Sequence, residues 1–319
     1  MAQGAGGHIG FAKETTWGTP VVVASGNFVY GLSESVTLQI DRFDIRNIQG
    51  ARSEPDDVAG MRRSQGDMVL PGYPHALGHI FKGLTNSGSL TVVLSGSLHQ
   101  YDYFTPTADA STLSPFPSYT LEIFRDVTSA HRYAGAVFTS GAFSIQPNQE
   151  LRATVGVLAK TTSIFARSTP TYPGSPAEPF TYDTVSLSIG GAAPGNVEAF
   201  TFTIDNNIDA VGALNASNET AFMRVRGFQG VSVNGTISFD DLTEYAKFVQ
   251  QSEQAIIMTV TKAQSFFLRF DLPRVVYTTY PMGIRGRDRM TVDFEGKVRY
   301  HAGSLTAYNI RLTTVQSNL

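Results

Sequence analysis

The same strand pattern occurs twice in this chain, about half its length apart. Apolar and polar residues alternate through 36–45 (VTLQIDRFDI) and through 200–209 (FTFTIDNNID), and Ile204-Asp205 follows Ile40-Asp41 by 164 residues. Alternation with a period of two is typical of a strand whose two faces meet different surroundings. A long internal repeat of this kind predicts a mainly β chain built from two similar units.

Each predicted unit also contains one helical pattern, located after a second strand-like segment. Gln65-Gly66 precedes the first pattern and Gln229-Gly230 the second, again 164 residues apart. Apolar residues at i, i+3, i+4 and i+7 form one stripe on a helix. These residues are Leu77, Ile80, Phe81 and Leu84 in the first unit, and Leu242, Tyr245, Ala246 and Val249 in the second. Pro74 suits the start of the first helix.

The strands that follow the helices support the same division. Residues 136–157 align without gaps on 273–294, an offset of 137 residues, which indicates extra residues in the first unit at about 95–118. The segment 166–179 is rich in Pro, Ser and Gly and is interpreted as a linker. We therefore predict a first module over 1–165, with an N-terminal arm over about 1–27, and a second module that ends at 319.

Composition excludes several classes of function. The 319 residues carry a formal net charge of −3 and contain no cysteine. Proteins that grip nucleic acid by its phosphates usually have a basic excess, so tight DNA binding is not expected. Disulfides and thiolate metal sites are excluded. The N-terminus lacks the features of a secretory signal, and no apolar run is long enough for a transmembrane helix.

No arrangement of residues indicates catalysis, a cofactor or a metal ion, so the chain is predicted not to be an enzyme. The glycine-rich segment GAGGHIG (4–10) does not follow a strand and is interpreted as part of a flexible arm. His75 and His79 have the i, i+4 spacing of metal ligands but lack a third ligand, so they are assigned to a solvated helix face. Asp240-Asp241 is interpreted as a helix cap.

Two long polar segments between strands are candidates for contacts between subunits. The first is a predicted loop over about 50–65, and the second covers 212–227. Loops of this length are usually functional or mobile, and both alternatives remain open. The charged residues predicted to make such contacts are Asp56, Asp57, Arg62, Arg63, Arg224 and Arg226.

Several segments resemble the tail tube proteins of long non-contractile-tailed bacteriophages. They are AKETTWGTP (12–20), LSESVTLQIDRFDIRNIQGAR (32–52), GDMVL (66–70) before a helix, and PFTYDTVSLSIGG (179–191) followed by VEAFTFTIDNN (197–207). The resemblance covers most of the chain. It implies tandem β-sandwich or β-barrel modules, each flanked by one short helix, in a virion protein made in the host cytoplasm.

In that family, rings of subunits stack into a tube whose lumen is lined by strands. The resemblance and the repeat together imply a homotrimeric, pseudo-hexameric ring through which double-stranded DNA passes without sequence-specific binding. Trp17, in the arm, is expected to contact a neighbouring ring. The implied partners are further copies of the chain, the tape measure protein, and the tail terminator and distal tail proteins. Polar strand faces provide the predicted lining residues, which are Asp41, Asp205, Asp293 and Glu295.

Three other functions compete with this interpretation. A phage adhesin or carbohydrate-binding β-module would need clustered loop aromatics, but the chain has one tryptophan. A β-sandwich hydrolase would need a catalytic arrangement of side chains. An outer-membrane barrel would need a signal peptide and strand faces suited to lipid. The adhesin is the principal alternative.

Overall fold

The computed structural model describes most of the chain. The described residues are 4–24, 26–45, 56–87, 89–93, 98–105, 116–172, 174, 178–194, 196–262, 266–283 and 289–316.

The described residues are mainly strand, as predicted. The N-terminal half contains β1 (His8–Lys13), β2 (Phe28–Val29), β3 (Ser33–Glu34), β4 (Thr37–Asp44), β5 (Asp57–Pro71), α1 (Pro74–Thr85), β6 (Ser89–Val93), β7 (His99–Phe104), β8 (Tyr119–Phe124), β9 (Ser129–Ile145), β10 (Arg152–Ala159) and β11 (Thr161–Ala166). The C-terminal half contains β12 (Val185–Ile189), β13 (Val197–Asp205), β14 (Ile208–Val211), β15 (Phe222–Val225), β16 (Gly230–Ser238), α2 (Thr243–Val249), β17 (Gln254–Lys262), β18 (Phe266–Thr279), β19 (Thr291–Val298) and β20 (Asn309–Thr314). Both predicted helices are confirmed.

One antiparallel sheet runs through both halves of the chain, and we call it the shared sheet. Its strands are ordered β4-β5-β10-β9-β13-β16-β19-β18, with the C-terminal parts of β9 and β18 taking part. The two halves meet where β9 pairs with β13. Most of the remaining strands form two outer layers, β2-β1-β8-β9-β11 and β6-β7-β20-β18-β17-β12. Strand β3 pairs with β5, and β14 pairs with β15 in a separate hairpin.

The two halves of the shared sheet have the same order of pairing. In the first half the order is β4-β5-β10-β9, and in the second it is β13-β16-β19-β18. A bulge interrupts β9 between Phe138 and Ser140, and another interrupts β18 between Tyr277 and Thr279. Bulges change the direction and twist of a strand, so both strands turn at matching places. The tandem-module organisation itself stays a prediction.

The segment assigned to an insertion, 95–118, contains β7. This strand pairs with β20 near the C-terminus and with β6, so it extends the outer layer of the C-terminal half. Tyr103 is buried there, and its hydroxyl donates to the carbonyl oxygen of Gly78 in α1 at 3.2 Å. Residues 94–97 and 106–115 lie outside the described residues. The N-terminal half therefore contributes a strand to the outer layer of the C-terminal half.

The interpretation of GAGGHIG (4–10) as flexible is wrong for residues 8–10, because residues 8–13 form a strand. These residues form β1, which pairs along its whole length with β8 and also with β2. Ile9 and Phe11 are part of the main hydrophobic core. Alternation in this short segment is obscured because most of β1 is buried on both faces. Removal of β1 would therefore expose core residues.

The predicted loop over 50–65 is also incorrect in part. Residues 57–65 belong to β5, which continues as far as Pro71 and pairs with β4 as a long hairpin. Residues 46–55 lie outside the described residues. The sequence conceals this strand because residues 57–63 are exposed or half-buried on both faces, and because β5 carries one extra residue at a bulge between Ala59 and Arg62.

Helix α1 is buried between the outer layers, and this corrects the interpretation of its histidines. It packs against β9, β20 and β7. His75 is only 1% exposed, and neither of its ring nitrogens has a hydrogen-bond partner among the described residues. His79 is partly buried, with its Nε2 atom 3.0 Å from Nε2 of Gln316. Burial lowers the pKa of each imidazole to about 4, so both histidines are neutral at pH 7.

These buried histidines predict a loss of stability in acid. Because the folded-state pKa of His75 lies below the unfolded value of 6.5, its contribution is complete above pH 6.5 and is lost as the pH falls towards 4. By pH 5 this loss is about 2 kcal/mol for one histidine. Between pH 7 and pH 5, we expect the free energy of unfolding of the His75→Phe variant to fall by about 2 kcal/mol less than that of the unmodified chain. Urea unfolding at both pH values measures the difference, and equal losses would contradict it.

Candidate functional site

The shared sheet has one apolar and one polar face. Strand alternation and register place Val155, Phe143, Phe202, Val233 and Phe294 on the face that packs into the core, and all five are buried. The opposite face carries polar residues from every strand across both halves. They include Thr37, Gln39, Arg63, Gln65, Asp67, Ser140, Thr154, Thr201, Thr203, Ser232, Asn234, Thr236, Thr279 and Lys297.

The four acidic residues predicted to line a lumen lie on this polar face. The structure thus brings all four to one surface, although they belong to β4, β13 and β19. Asp41 forms an ion pair with Arg63 at 2.6 Å, between Oδ2 and Nη1. Asp293 Oδ1 accepts a hydrogen bond from Thr236 Oγ1 at 2.8 Å. These contacts fix the directions of the carboxylates in a partly solvated setting.

The other two acidic residues lie at positions where the sheet changes direction. Asp205 ends β13, and its Oδ1 accepts the amide of Asn207 at 2.8 Å, which stabilises the turn that leads to β14. Glu295 lies beside the bulge of β18, where its Oε2 accepts from Thr279 Oγ1 at 3.2 Å. Asp205, Asp293 and Glu295 are exposed, so these carboxylates face solvent in the single chain.

A polar groove of about 780 Å³ runs along this face between β4, β5, β9 and the β14 segment. Its lining includes Gln39, Arg63, Asp67, Ser140 and Asp205. The positive charges on the face are partly neutralised within the chain, because Arg63 pairs with Asp41 and Arg152 pairs with Glu150 at 2.9 Å. The surface is therefore hydrophilic and has no concentration of unpaired basic side chains among the residues described for it.

The residues predicted to contact other subunits make contacts within the chain. Arg42 Nη1 lies 2.6 Å from Asp57 Oδ2, and the Asp56 carbonyl accepts the amide of Ile45 at 3.1 Å. The amide of Arg62 donates to the Asn218 carbonyl at 2.6 Å. The β4–β5 hairpin therefore touches the loop of the β14–β15 hairpin, and the two polar segments identified in the sequence are neighbours.

The remaining predicted contact residues behave similarly. Arg226 Nη2 lies 2.6 Å from Asp209 Oδ2, and the guanidinium of Arg224 lies 4.5 Å from the ring centroid of Phe222. Trp17 Nε1 donates to the Gly135 carbonyl at 3.2 Å. A role for any of these residues between subunits stays a prediction.

Buried polar residues that the sequence did not reveal hold the outer layer together. Both carboxylate oxygens of Glu14 are used: Oε1 accepts from Thr120 Oγ1 and the Gly135 amide, each at 2.8 Å, and Oε2 accepts from Ser118 Oγ at 2.7 Å and the Gly18 amide at 2.9 Å. This arrangement anchors the segment after β1 to β8 and β9.

A second buried carboxylate ties the region after β11 to the same layer. Glu122 Oε1 accepts from the Ser168 amide at 2.7 Å and lies 3.1 Å from His8 Nε2. Glu122 belongs to β8, in which every residue is buried. The strand is covered on both sides, so its alternation carries no information about exposure.

The described residues contain no group of three or more side chains suited to hold a metal ion. No helix in the described part of the chain has the length and apolar character needed to cross a membrane. The features present are those of a self-supporting sheet with a hydrophilic face.

Comparison with known proteins identifies the family to which the chain belongs. The phage tail tube protein family matches residues 4–298, which is nearly the whole chain. No curated protein matches the chain in sequence. The chain belongs to the phage tail tube protein family and is a structural, tube-forming component of the virion tail.

Proposed function

We propose that three copies of this chain form a pseudo-hexameric ring and that the rings stack into a tube that conducts phage DNA to the host. The single observation that carries the proposal is the shared sheet, to which each half contributes four strands that expose one continuous polar face. A polar sheet face suits a surface that meets water.

The dimensions of such a ring fit a DNA duplex. Three chains supply six half-sheets, and strands about 4.8 Å apart with a tilt of about 40° enclose a wall on the order of 150 Å around. The wall is then nearly 50 Å across, and side chains narrow the bore to roughly 35–40 Å. A duplex with its hydration layer passes through this opening. A single chain closed on itself would be too narrow.

The chemistry of the polar face favours passage over retention. Lysine and arginine attract phosphates and release counterions, which would retard a moving duplex. On this face Arg63 is paired with Asp41, and the exposed carboxylates of Asp205, Asp293 and Glu295 repel phosphate. Lys297 is also exposed on this face, but the carboxylates outnumber it, so the lining is weakly acidic, rich in hydroxyl groups and without a cluster of cations that would retain DNA.

The proposal extends to other tail proteins through the family resemblance. A long non-contractile tail would hold the tape measure protein inside the tube during assembly, with terminator and distal tail proteins at its two ends. The same polar face would meet the tape measure protein before DNA replaces it.

Reversal of charge on the lining tests the proposal. We expect Asp293→Lys with Glu295→Lys to leave tube assembly intact and to lower the infectious titre by about tenfold or more, because the new ammonium groups bind phosphate. Negative-stain microscopy measures assembly, and plaque counts at equal particle number measure DNA delivery.

A matched variant controls for added charge alone. Glu178→Lys with Asp183→Lys makes the same charge change at exposed positions outside the strands of the shared sheet, and it also removes the ion pair between Glu178 and Lys262. We expect normal infectivity for this control. Full infectivity of the Asp293→Lys, Glu295→Lys particles would exclude these two residues from the path of DNA.

A further inference from the structure

The junction between the two halves shows how the edge strand of one half-sheet pairs with the edge strand of the other. Strand β13 pairs antiparallel with β9, with Ile204 opposite Gly141 and Asp205 opposite Ser140. The Asn206 side chain continues this junction, since its Nδ2 donates to the Leu84 carbonyl at the end of α1 at 2.8 Å. Ile204 is fully buried as a result.

The corresponding edges at the two ends of the sheet have no strand beside them among the described residues. Strand β4 pairs only with β5, whereas its counterpart β13 pairs on both sides. The end of β18 after Val275 pairs only with β19, whereas its counterpart in β9 pairs with both β10 and β13. The edges of β4 and of the end of β18 are therefore unpaired, whereas the corresponding edges of β13 and β9 pair with each other at the internal junction.

Apolar side chains accompany both free edges. Leu38 and Ile40 on β4 are 43% and 39% exposed, in contrast to the buried Ile204. Near the other edge, Met282 is 40% exposed and Val249 at the end of α2 is 59% exposed. Exposed apolar residues next to unpaired strands mark a surface that another chain covers.

The two bulges fix which residues correspond. Thr139 is the extra residue in β9 and Thr278 is the extra residue in β18, an offset of 139. Ser140 therefore corresponds to Thr279, and Gly141 to Tyr280. The pairings of β4 with β5 and of β13 with β16 place Leu38 in the position of Ile204, and Gln39 in that of Asp205.

We propose that β4 of one copy pairs antiparallel with residues 278–282 of a second copy, in the register of the internal junction. Gln39 then lies opposite Thr279 of the next copy, and Leu38 lies opposite Tyr280. This inference rests on the proposed function and specifies the partner surface that closes the ring. We call this pairing of β4 with residues 278–282 of the next copy the seam. The polar face continues without a break across the seam, and Leu38 and Ile40 become covered by the end of α2 of the next copy.

The backbone of the receiving edge suits this register. The Asn206 amide donates to the Thr139 carbonyl at 2.8 Å, so alternate residues from Thr139 onwards point their backbone groups towards β13. The corresponding residues in the second half are Thr278, Tyr280 and Met282. Pro281, which has no amide hydrogen, lies between them and directs its backbone away from the seam.

The two edges differ from each other, so each copy offers one donor edge and one receiving edge. Contacts of this head-to-tail kind produce closed rings when the rotation between copies closes, and filaments when it does not. The internal junction already sets the rotation between half-sheets. The occupant of each edge is thus another copy of this chain.

Engineered cysteines test the register directly, because the chain has none of its own. Gln39 and Thr279 correspond to a non-hydrogen-bonded pair, whose β-carbons are close enough for a disulfide. We expect Gln39→Cys with Thr279→Cys to give dimers and trimers on non-reducing gels after mild oxidation of assembled tubes. The ladder ends at the trimer because the third disulfide closes the ring.

Two variants control the experiment. Ser140→Cys with Asp205→Cys places the same pair at the internal junction and should form a disulfide within the monomer. Asp41→Cys with Thr279→Cys is displaced by two residues on the same face, and we expect on the order of tenfold less cross-linked product. Negative-stain images of each sample show whether tubes are present.

The outcomes separate this inference from the proposed function. Tubes that cross-link through Asp41→Cys but not through Gln39→Cys would overturn the register while the tube function stands. A ladder that continues beyond the trimer would retain the seam and contradict the three-chain ring. The Ser140→Cys, Asp205→Cys control shows by its internal disulfide that the chain is folded. If that disulfide forms but neither tubes nor cross-links between chains are seen, both proposals are overturned.

Discussion

Replacement of Glu14 with alanine is expected to lower the free energy of unfolding by about 4 kcal/mol. The carboxylate accepts four hydrogen bonds in a site that is 7% exposed. Its removal leaves the hydroxyls of Ser118 and Thr120 and the amides of Gly18 and Gly135 without their acceptor. Buried donors that lose their partner cost more than the bond itself contributes, because they are also kept from water. Chemical denaturation measures the change.

A second carboxylate serves as the control for this prediction. Glu150 forms a partly exposed ion pair with Arg152, and solvent screens such pairs. We expect Glu150→Ala to cost less than about 1 kcal/mol. Similar losses for the two variants would show that the Glu14 network does not anchor the segment after β1.

The second large effect is expected on assembly. Leu38→Asp with Ile40→Asp should give folded protein that forms no rings or tubes. Both side chains are exposed in the single chain, so the variant retains its core and loses less than about 1 kcal/mol of stability. In the proposed seam the same positions are covered, and two carboxylates buried there without partners cost several kcal/mol. Negative-stain microscopy and sedimentation measure the loss of assembly.

The matched control is another exposed apolar residue on a strand. Ile164 in β11 is 71% exposed and lies outside the shared sheet. We expect Ile164→Asp to assemble as the unmodified chain does. Normal tubes from the Leu38→Asp, Ile40→Asp variant would contradict the assignment of β4 to the seam.

Sequence patterns predicted the parts of the fold that have unlike faces. Helix α1 was predicted by the spacing of Leu77, Ile80, Phe81 and Leu84, all of which are buried. Strand β19 alternates strictly between exposed and buried residues, so Asp293 and Glu295 were correctly assigned to a polar strand face. Periodicity works in these places because one side of each element meets water and the other side meets the core.

The same reasoning failed where an element is covered on both sides. β1 and β8 are buried on both faces, so His8, Glu14 and Glu122 gave no signal of their partners. Those partners lie more than 45 residues away along the chain, apart from Gly18 for Glu14. Only tertiary structure brings such residues together.

Strand register was the second feature that could not be predicted from the sequence. The gapless alignment of 136–157 on 273–294 has an offset of 137, whereas the bulges at Thr139 and Thr278 give 139. Alternating strands tolerate a shift of two residues because every side chain keeps its face. The sequence therefore identified the polar face but not which residues lie opposite each other.

Cryo-electron microscopy of assembled tubes tests the central claim most directly. We expect three chains in each ring, with the polar face of the shared sheet turned inwards and Asp41, Asp205, Asp293 and Glu295 exposed to a bore of roughly 35–40 Å. A tube whose polar face points outwards, or whose bore is too narrow for a DNA duplex, would contradict it.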